Sequence, residues 1–210
     1  MTHEIRRGSI VEFGKYFISN DKEREPLKWR VLAKEEDRAL LVTEKGIDCK
    51  RYYNGFFTFT WESSSTRSWL NKTFFRTFFS AAERRRILTI SVSNNADNDR
   101  GCERYAFAKM LGIKTVSNDT EDKLFLLSVA EARKYFCNDD DRRCAATVFA
   151  KGKGVDVKSG DSMFGDWWLR SVGITGARAA YVNSDGGINC DGESTNHGKC
   201  LLRPALWLKL

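Results

Sequence analysis

An α+β domain of antiparallel sheets, with two main helices and a long loop-rich C-terminal half, is what three features of this 210-residue sequence predict. Short apolar segments separated by charged turns open the chain, and two serine-x-x-Glu signals mark helix starts in its middle. Two aromatic apolar segments, residues 166–171 and 202–208, bracket a polar stretch near its end. Alternation at period two marks strands, and a serine followed three residues on by Glu marks a capped helix start. The sequence shows no internal repeat, low-complexity linker or break in composition, so residues 1–210 read as a single domain. At 41% hydrophobic it can bury one sizeable core, and its six Trp and fourteen Phe are clustered, which points to a core knitted from aromatics rather than long aliphatic helices.

Residues 10–16, 27–32 and 39–43 read as strands of an antiparallel meander, the last two joined by a charged turn at residues 34–38. The aromatic run at 56–61 packs as strand or loop. Hydroxyls at 63–66 can cap the first turn of a helix whose one face carries Trp69, Leu70, Thr73, Phe74 and Phe78. Ser80 with Glu83, and Ser128 with Glu131, form capping boxes that open helices running to Leu88 and Phe136. Between them lie a polar loop at 94–100, a short helix at 102–111 and a buried strand at 123–127, and a helical turn or two follows at 141–151. Glycines 152, 154, 160 and 165 then loosen the chain. Residues 167–171 read as a core strand, and 179–183 with 188–190 flank Ser184-Asp185-Gly186-Gly187, a tight hairpin turn. Residues 201–208 close the sheet, with Pro204 confined to an edge, bulge or strand start.

The net charge of +7 arises from 35 basic and 28 acidic residues, and the basic ones are scattered apart from Arg84-Arg85-Arg86, which reads as solvated surface. No basic stripe pairs with stacking aromatics, so no nucleic-acid partner is expected. No segment approaches the roughly 20 apolar residues of a membrane span. The first residues lack the apolar region of a secretory signal, which makes the cytoplasm the default site, with a phage virion or cell surface reached only by another route. Six cysteines, none in Cys-x-x-Cys spacing, suggest reduced and partly buried thiols and no zinc site.

Residues 183–200 are almost all polar, and a polar irregular stretch of this length between rigid anchors is usually a binding loop. The candidate ligand-binding residues are Tyr181, Asn183, Asp185, Asn189, Cys190, Asp191, Glu193, Ser194, Asn196, His197, Lys199 and Cys200, within a candidate variable or binding region at 167–208. Such Asn- and Gly-rich stretches also simply make turns. Asp185, Asn189, Asp191 and Glu193 are oxygen ligands, but their spacing lacks the regular pattern of a calcium loop, so no metal or cofactor is expected. Arg170 and Arg203 lie in apolar strands and should be held by carbonyls or carboxylates, and Trp167, Trp168 and Trp207 should anchor the core.

The segments Phe13-Gly14, Leu27-Lys28-Trp29-Arg30-Val31-Leu32, Trp61-Glu62-Ser63-Ser64, Arg67-Ser68-Trp69-Leu70-Asn71, Phe125-Leu126-Leu127-Ser128, Trp167-Trp168-Leu169-Arg170-Ser171, Ala180-Tyr181-Val182-Asn183-Ser184-Asp185-Gly186 and Arg203-Pro204-Ala205-Leu206-Trp207 together resemble an uncharacterised bacterial and phage domain family. That family is similar to the C-type lectin fold, in the branch of formylglycine-generating enzymes and the variable proteins of diversity-generating retroelements. The resemblance implies an invariant scaffold at 167–171 and 203–208 presenting a diversified, non-catalytic surface at 183–200 that binds a protein or glycan. Where family members carry a valine and glycine before the closing Arg-Pro-Ala-Leu-Trp, this chain has Gly198-Lys199-Cys200-Leu201-Leu202. Two other classes stay open: a formylglycine-generating-type oxidoreductase using Cys190 and Cys200, whose ten-residue separation departs from that family's tighter pair, and a structural subunit of a phage or cell-surface assembly.

Overall fold

Three antiparallel strands open the structure, a computed structural model that describes residues 5–55, 60–94, 118–157 and 163–210. Strands β1 (Ile10–Phe17), β2 (Arg24–Lys34) and β3 (Arg38–Thr43) form the expected meander, and the final strand β11 (Ala205–Lys209) returns to pair with β3. A second, five-stranded sheet has the order β4 (Asp48–Cys49), β10 (Leu201–Leu202), β7 (Trp167–Val172), β8 (Arg178–Val182) and β9 (Ile188–Ser194). Its pairings are antiparallel except for β10 beside β7, where Leu201 stands opposite Trp167. A small two-stranded ladder joins β5 (Ile90–Val92) to β6 (Thr120–Asp122). Pro204 falls between β10 and β11, so the proline without an N–H marks the step where the chain passes from one sheet to the other.

The helices are short. The first begins at Ser64, whose hydroxyl accepts the Arg67 N–H at 3.0 Å, and runs as α1 (Ser65–Trp69), a π-helical turn (Leu70–Phe74) and α2 (Phe75–Phe78). The wider turn rotates the helix relative to an uninterrupted 3.6-residue period. It puts Leu70 and Phe74 in the core and leaves Thr73 exposed, which corrects the expected apolar face. Both capping boxes form, at α3 (Ala81–Arg86) and α4 (Val129–Tyr135), followed by α5 (Asp139–Arg142) and α6 (Val148–Gly152). Residues 124–127 are buried, but only Phe125 bridges, to Ala205, so the expected strand there is an extended segment wedged beside β11. The aromatic run at 56–59, most of the polar loop at 94–100, the helix expected at 102–111 and Gly160 lie outside the described residues.

Glu83 links α3 to β1. One carboxylate oxygen accepts the Ser80 N–H at 2.7 Å and the other the Gly14 N–H at 2.8 Å. Burial alone would raise its pKa, but these N–H donors outweigh burial and hold the carboxyl below its ordinary value. A depressed folded pKa stabilises at pH above the unfolded value and the contribution disappears as pH falls through the folded one. Glu83→Gln, which keeps a single acceptor oxygen, is therefore expected to lose about 1 kcal/mol at pH 7. In urea titrations at falling pH the difference from the parent should vanish once the native carboxyl is protonated. A pH-independent loss would contradict this account.

The core between the sheets is aromatic. Trp29, Tyr52, Trp61, Phe74, Trp167 and Trp168 are fully buried, whereas Trp207 is only half-buried, with Arg38 4.7 Å above its ring. Aromatic anchors still need partners for their N–H groups. Trp29 donates to the Phe13 carbonyl at 2.7 Å, Trp168 to that of Lys50 at 3.1 Å, and Trp61 to the carboxylate of buried Asp122 at 2.8 Å. Arg170 is held as expected, by the Glu131 carboxylate and by the Leu126 and Ser93 carbonyls.

Candidate functional site

The polar C-terminal stretch is more ordered than an irregular loop. Its middle is strand β9, the outer strand of the five-stranded sheet, because residues 188–194 extend the hairpin ladder well past Cys190. A strand with one face toward solvent normally alternates apolar and polar, but Asp191 to Ser194 carry no apolar side chain, so nothing announces it there. Tyr181 stands opposite Asn189, and Ala179 opposite Glu193, so Cys190, Asp191 and Gly192 fill the length that Ala180 alone fills in β8. The bulge closes on Gly192, whose φ of 78° and approach to the Ala179 carbonyl leave no room for a Cβ.

The hairpin tip is docked. Gly186 packs on the Asp139 backbone, the Arg142 guanidinium donates to the Gly186 carbonyl at 2.9 Å, and Asp166 accepts the Ser184 N–H at 2.8 Å. Beyond β9 the tail is pinned as well. Thr195 bonds the Ala177 carbonyl through both its N–H (3.1 Å) and its hydroxyl (3.2 Å), and its own carbonyl accepts the Tyr53 N–H at 3.2 Å. The Asn196 amide, turned with its NH2 toward the 53–55 loop, donates to the Tyr53 and Gly55 carbonyls at 3.0 and 3.2 Å. Lys199 pairs with Asp156 at 3.1 Å.

Of the twelve expected residues, Asp185, Ser194, Asn196 and Lys199 are exposed, and Tyr181, Asn183, Asn189, Cys190, Asp191, Glu193 and His197 are half-buried. Cys200 is only 2% exposed and so offers a ligand nothing. Burial, with Asp166, Glu193 and Cys200 nearby, raises the Tyr181 pKa, so its hydroxyl stays a neutral donor at physiological pH. Sequence reasoning did not single out Asp166, Arg142, Thr195 or Tyr53, the groups that fix the face. Only Asp166, directly before the paired tryptophans, carried a local signal.

Cys190 is disulfide-bonded, which corrects the expectation of reduced thiols throughout; Cys49, Cys137, Cys144 and Cys200 are free. The Cys190 and Cys200 pair required of a formylglycine-generating-type oxidoreductase is therefore not a pair of thiols here. Burial and the neighbouring Asp166 also raise the Cys200 pKa, the reverse of what an activated thiolate needs. Among the described residues no group of three or more His, Cys, Asp or Glu stands in metal-holding geometry, and no helix is long and apolar enough to cross a membrane. Three concavities, of ≈ 490, 280 and 350 Å³, lie along β1 and β2, and none of them is lined by residues 181–199. What residues 181–199 provide is a set of exposed and half-buried hydroxyls, amides and charges on a pinned backbone.

The family described as a domain of unknown function, DUF6273, matches residues 36–210, and the chain belongs to it. No curated protein and no solved structure matches the chain.

Proposed function

We propose that this family member is a non-catalytic recognition domain of C-type lectin type, binding a protein or glycan through residues 181–199, as the variable protein of a diversity-generating retroelement does. One observation carries the reading: apart from Asn196, which pins the tail itself, the face is held by backbone and by Asp166, Arg142 and Thr195, none of them among its expected binding residues. Trp167, Trp168, Leu201 and Leu202 are fully buried on either side, while between them Asp185, Ser194, Asn196 and Lys199 are exposed and Tyr181, Glu193 and His197 are half-buried. Side chains on such a frame can change without disturbing the core, which suits both binding and diversification. The Cys190 disulfide supports display outside a reducing compartment.

The pinned residues dictate the test. Glu193, His197 and Lys199 are to be replaced together by Ala, sparing Thr195 and Asn196, which hold the tail. Ligands selected for the parent chain from a displayed peptide library and a glycan array should bind the triple variant at least about 10-fold more weakly, a loss of about 1.4 kcal/mol. Its melting midpoint should stay within about 2 °C of the parent's. Ligands that bind both chains equally would move the site elsewhere. For diversification, the gene should neighbour a reverse transcriptase and a near-copy of its last hundred or so bases differing at adenines; absence of both removes that part of the proposal.

A further inference from the structure

Strand pairing brings two free thiols from distant parts of the sequence together beneath the C-terminal tail. Cys49 stands opposite Leu201 in the antiparallel ladder of β4 and β10, one residue from Cys200. Positions one step out of register across such a ladder have Cα atoms about 6 Å apart, within the span of roughly 4.4–6.8 Å that a disulfide bridges. In an unbroken ladder these neighbours would face opposite sides of the sheet. Here β10 begins only at Leu201, and the Cys49 thiol already reaches along the tail, donating to the Gly198 carbonyl at 2.9 Å. The two thiols are also close enough that charge on Cys49 raises the pKa of Cys200.

We propose that Cys49 and Cys200 are a cross-linking pair that closes to a disulfide when the domain meets a small-molecule disulfide, stapling β4 to the tail that carries Asn196, His197 and Lys199. One cysteine, as its thiolate, attacks the oxidant RSSR, forming a mixed disulfide and expelling RS⁻, which takes up the released proton. The other thiolate then attacks the protein sulfur of that mixed disulfide and expels the second RS⁻, which is protonated likewise. Two S–H bonds in the protein and one S–S bond in the oxidant become one S–S bond in the protein and two RSH. The protein loses two electrons and two protons, and the oxidant gains them. Burial pushes the Cys49 thiol up to about 12 and raises Cys200 as well, so thiolate is scarce near neutral pH. Closure in the folded chain is accordingly slow and accelerates about tenfold per pH unit, while closure during folding escapes that restraint.

The full chain is to be treated in a glutathione and glutathione-disulfide buffer at pH 8.5 along two arms, one incubated folded and one refolded from denaturant. Both are then acid-quenched, alkylated and mapped by peptide mass. A peptide joining positions 49 and 200 is expected in both arms, sooner in the refolding arm, and absent from Cys49→Ser and Cys200→Ser, where the remaining thiol is recovered alkylated. The linked chain should melt about 5–15 °C above Cys200→Ser treated alike, as expected for so long a closed loop. Recovery of both thiols alkylated from both arms of the parent overturns the proposal. So does preferential linkage of either to Cys137 or Cys144, or a linked chain with no upward shift. If a serine variant fails to fold, the parent's peptide map decides alone.

Discussion

Arg203→Ala is expected to lower the free energy of unfolding by about 3–5 kcal/mol, among the largest single effects available in this fold. The guanidinium is fully buried between the rings of Phe136 and Trp167, 4.9 and 5.0 Å from their centroids. It forms no ion pair among the described residues. Its hydrogen bonds go to two carbonyls, Nε to Thr43 and Nη1 to Arg142, each at 3.1 Å, and among the described residues Nη2 has no partner. Burial lowers its pKa, which measures how unfavourable the unpaired charge is there. Truncation to Ala leaves a cavity between two aromatic rings and orphans the Thr43 carbonyl. Met refills the volume and removes the cost of the buried cation, so Arg203→Met should recover at least half of the loss. Lys should not, because a compact ammonium neither stacks flat between rings nor spans two carbonyls. Urea unfolding of the three variants at pH 7 tests the order. A Lys variant within about 1 kcal/mol of the parent would show that charge alone, and not the planar fork, holds the site.

Arg203 also shows where the sequence stops being informative. Local devices were legible: both capping boxes, the Ser64 cap, the charged turn between β2 and β3 and the position of Pro204 each depend on residues within a few places of one another. The core strand at 167–172 was legible too, because it opens on the apolar run Trp167-Trp168-Leu169, as a strand buried on both faces does. Long-range choices left no local mark. Nothing near Arg203 says that it bonds carbonyls 160 and 61 residues away rather than a carboxylate. Nothing in residues 191–194 distinguishes the rest of a polar outer strand from a loop, because its ladder is backbone and its bulge consumes the period. The π-helical turn likewise moved Thr73 out of a face that 3.6-residue spacing had assigned to it. For the candidate face, composition and flanks pointed to its polar residues, though not to the burial of Cys200. The residues that immobilise the face, Asp166, Arg142 and Thr195, act from other segments or through the main chain.

Arg142 joins the buried frame to the exposed hairpin, and this makes Gly186→Ala the second large expected effect. The Arg142 carbonyl accepts both Arg203 and the Trp167 indole, the latter at 3.0 Å, while its guanidinium holds the Gly186 carbonyl and pairs with Asp139. Gly186 has φ of 92°, which costs an L side chain about 1–2 kcal/mol, and a Cβ there would overlap the Asp139 carbonyl group, which is backbone and cannot swing aside. The turn would have to lift off α5, breaking the Arg142 contact, for a total of about 3 kcal/mol or more and a fall in melting midpoint of about 6–12 °C. Gly187→Ala is the internal control. Its φ is not positive, and the nearest atoms to a new Cβ are the Asn183 amide at 3.2–3.3 Å and an Asp185 carboxylate oxygen at 3.4 Å, side chains that can yield. It should stay within about 1 kcal/mol of the parent. If ligand recognition depends on the docked hairpin, Gly186→Ala should also weaken capture at temperatures where the chain is still folded, and Gly187→Ala should not. Equal melting points for the two variants would mean that the tip is free in solution and that the face is fixed only from its β7 side.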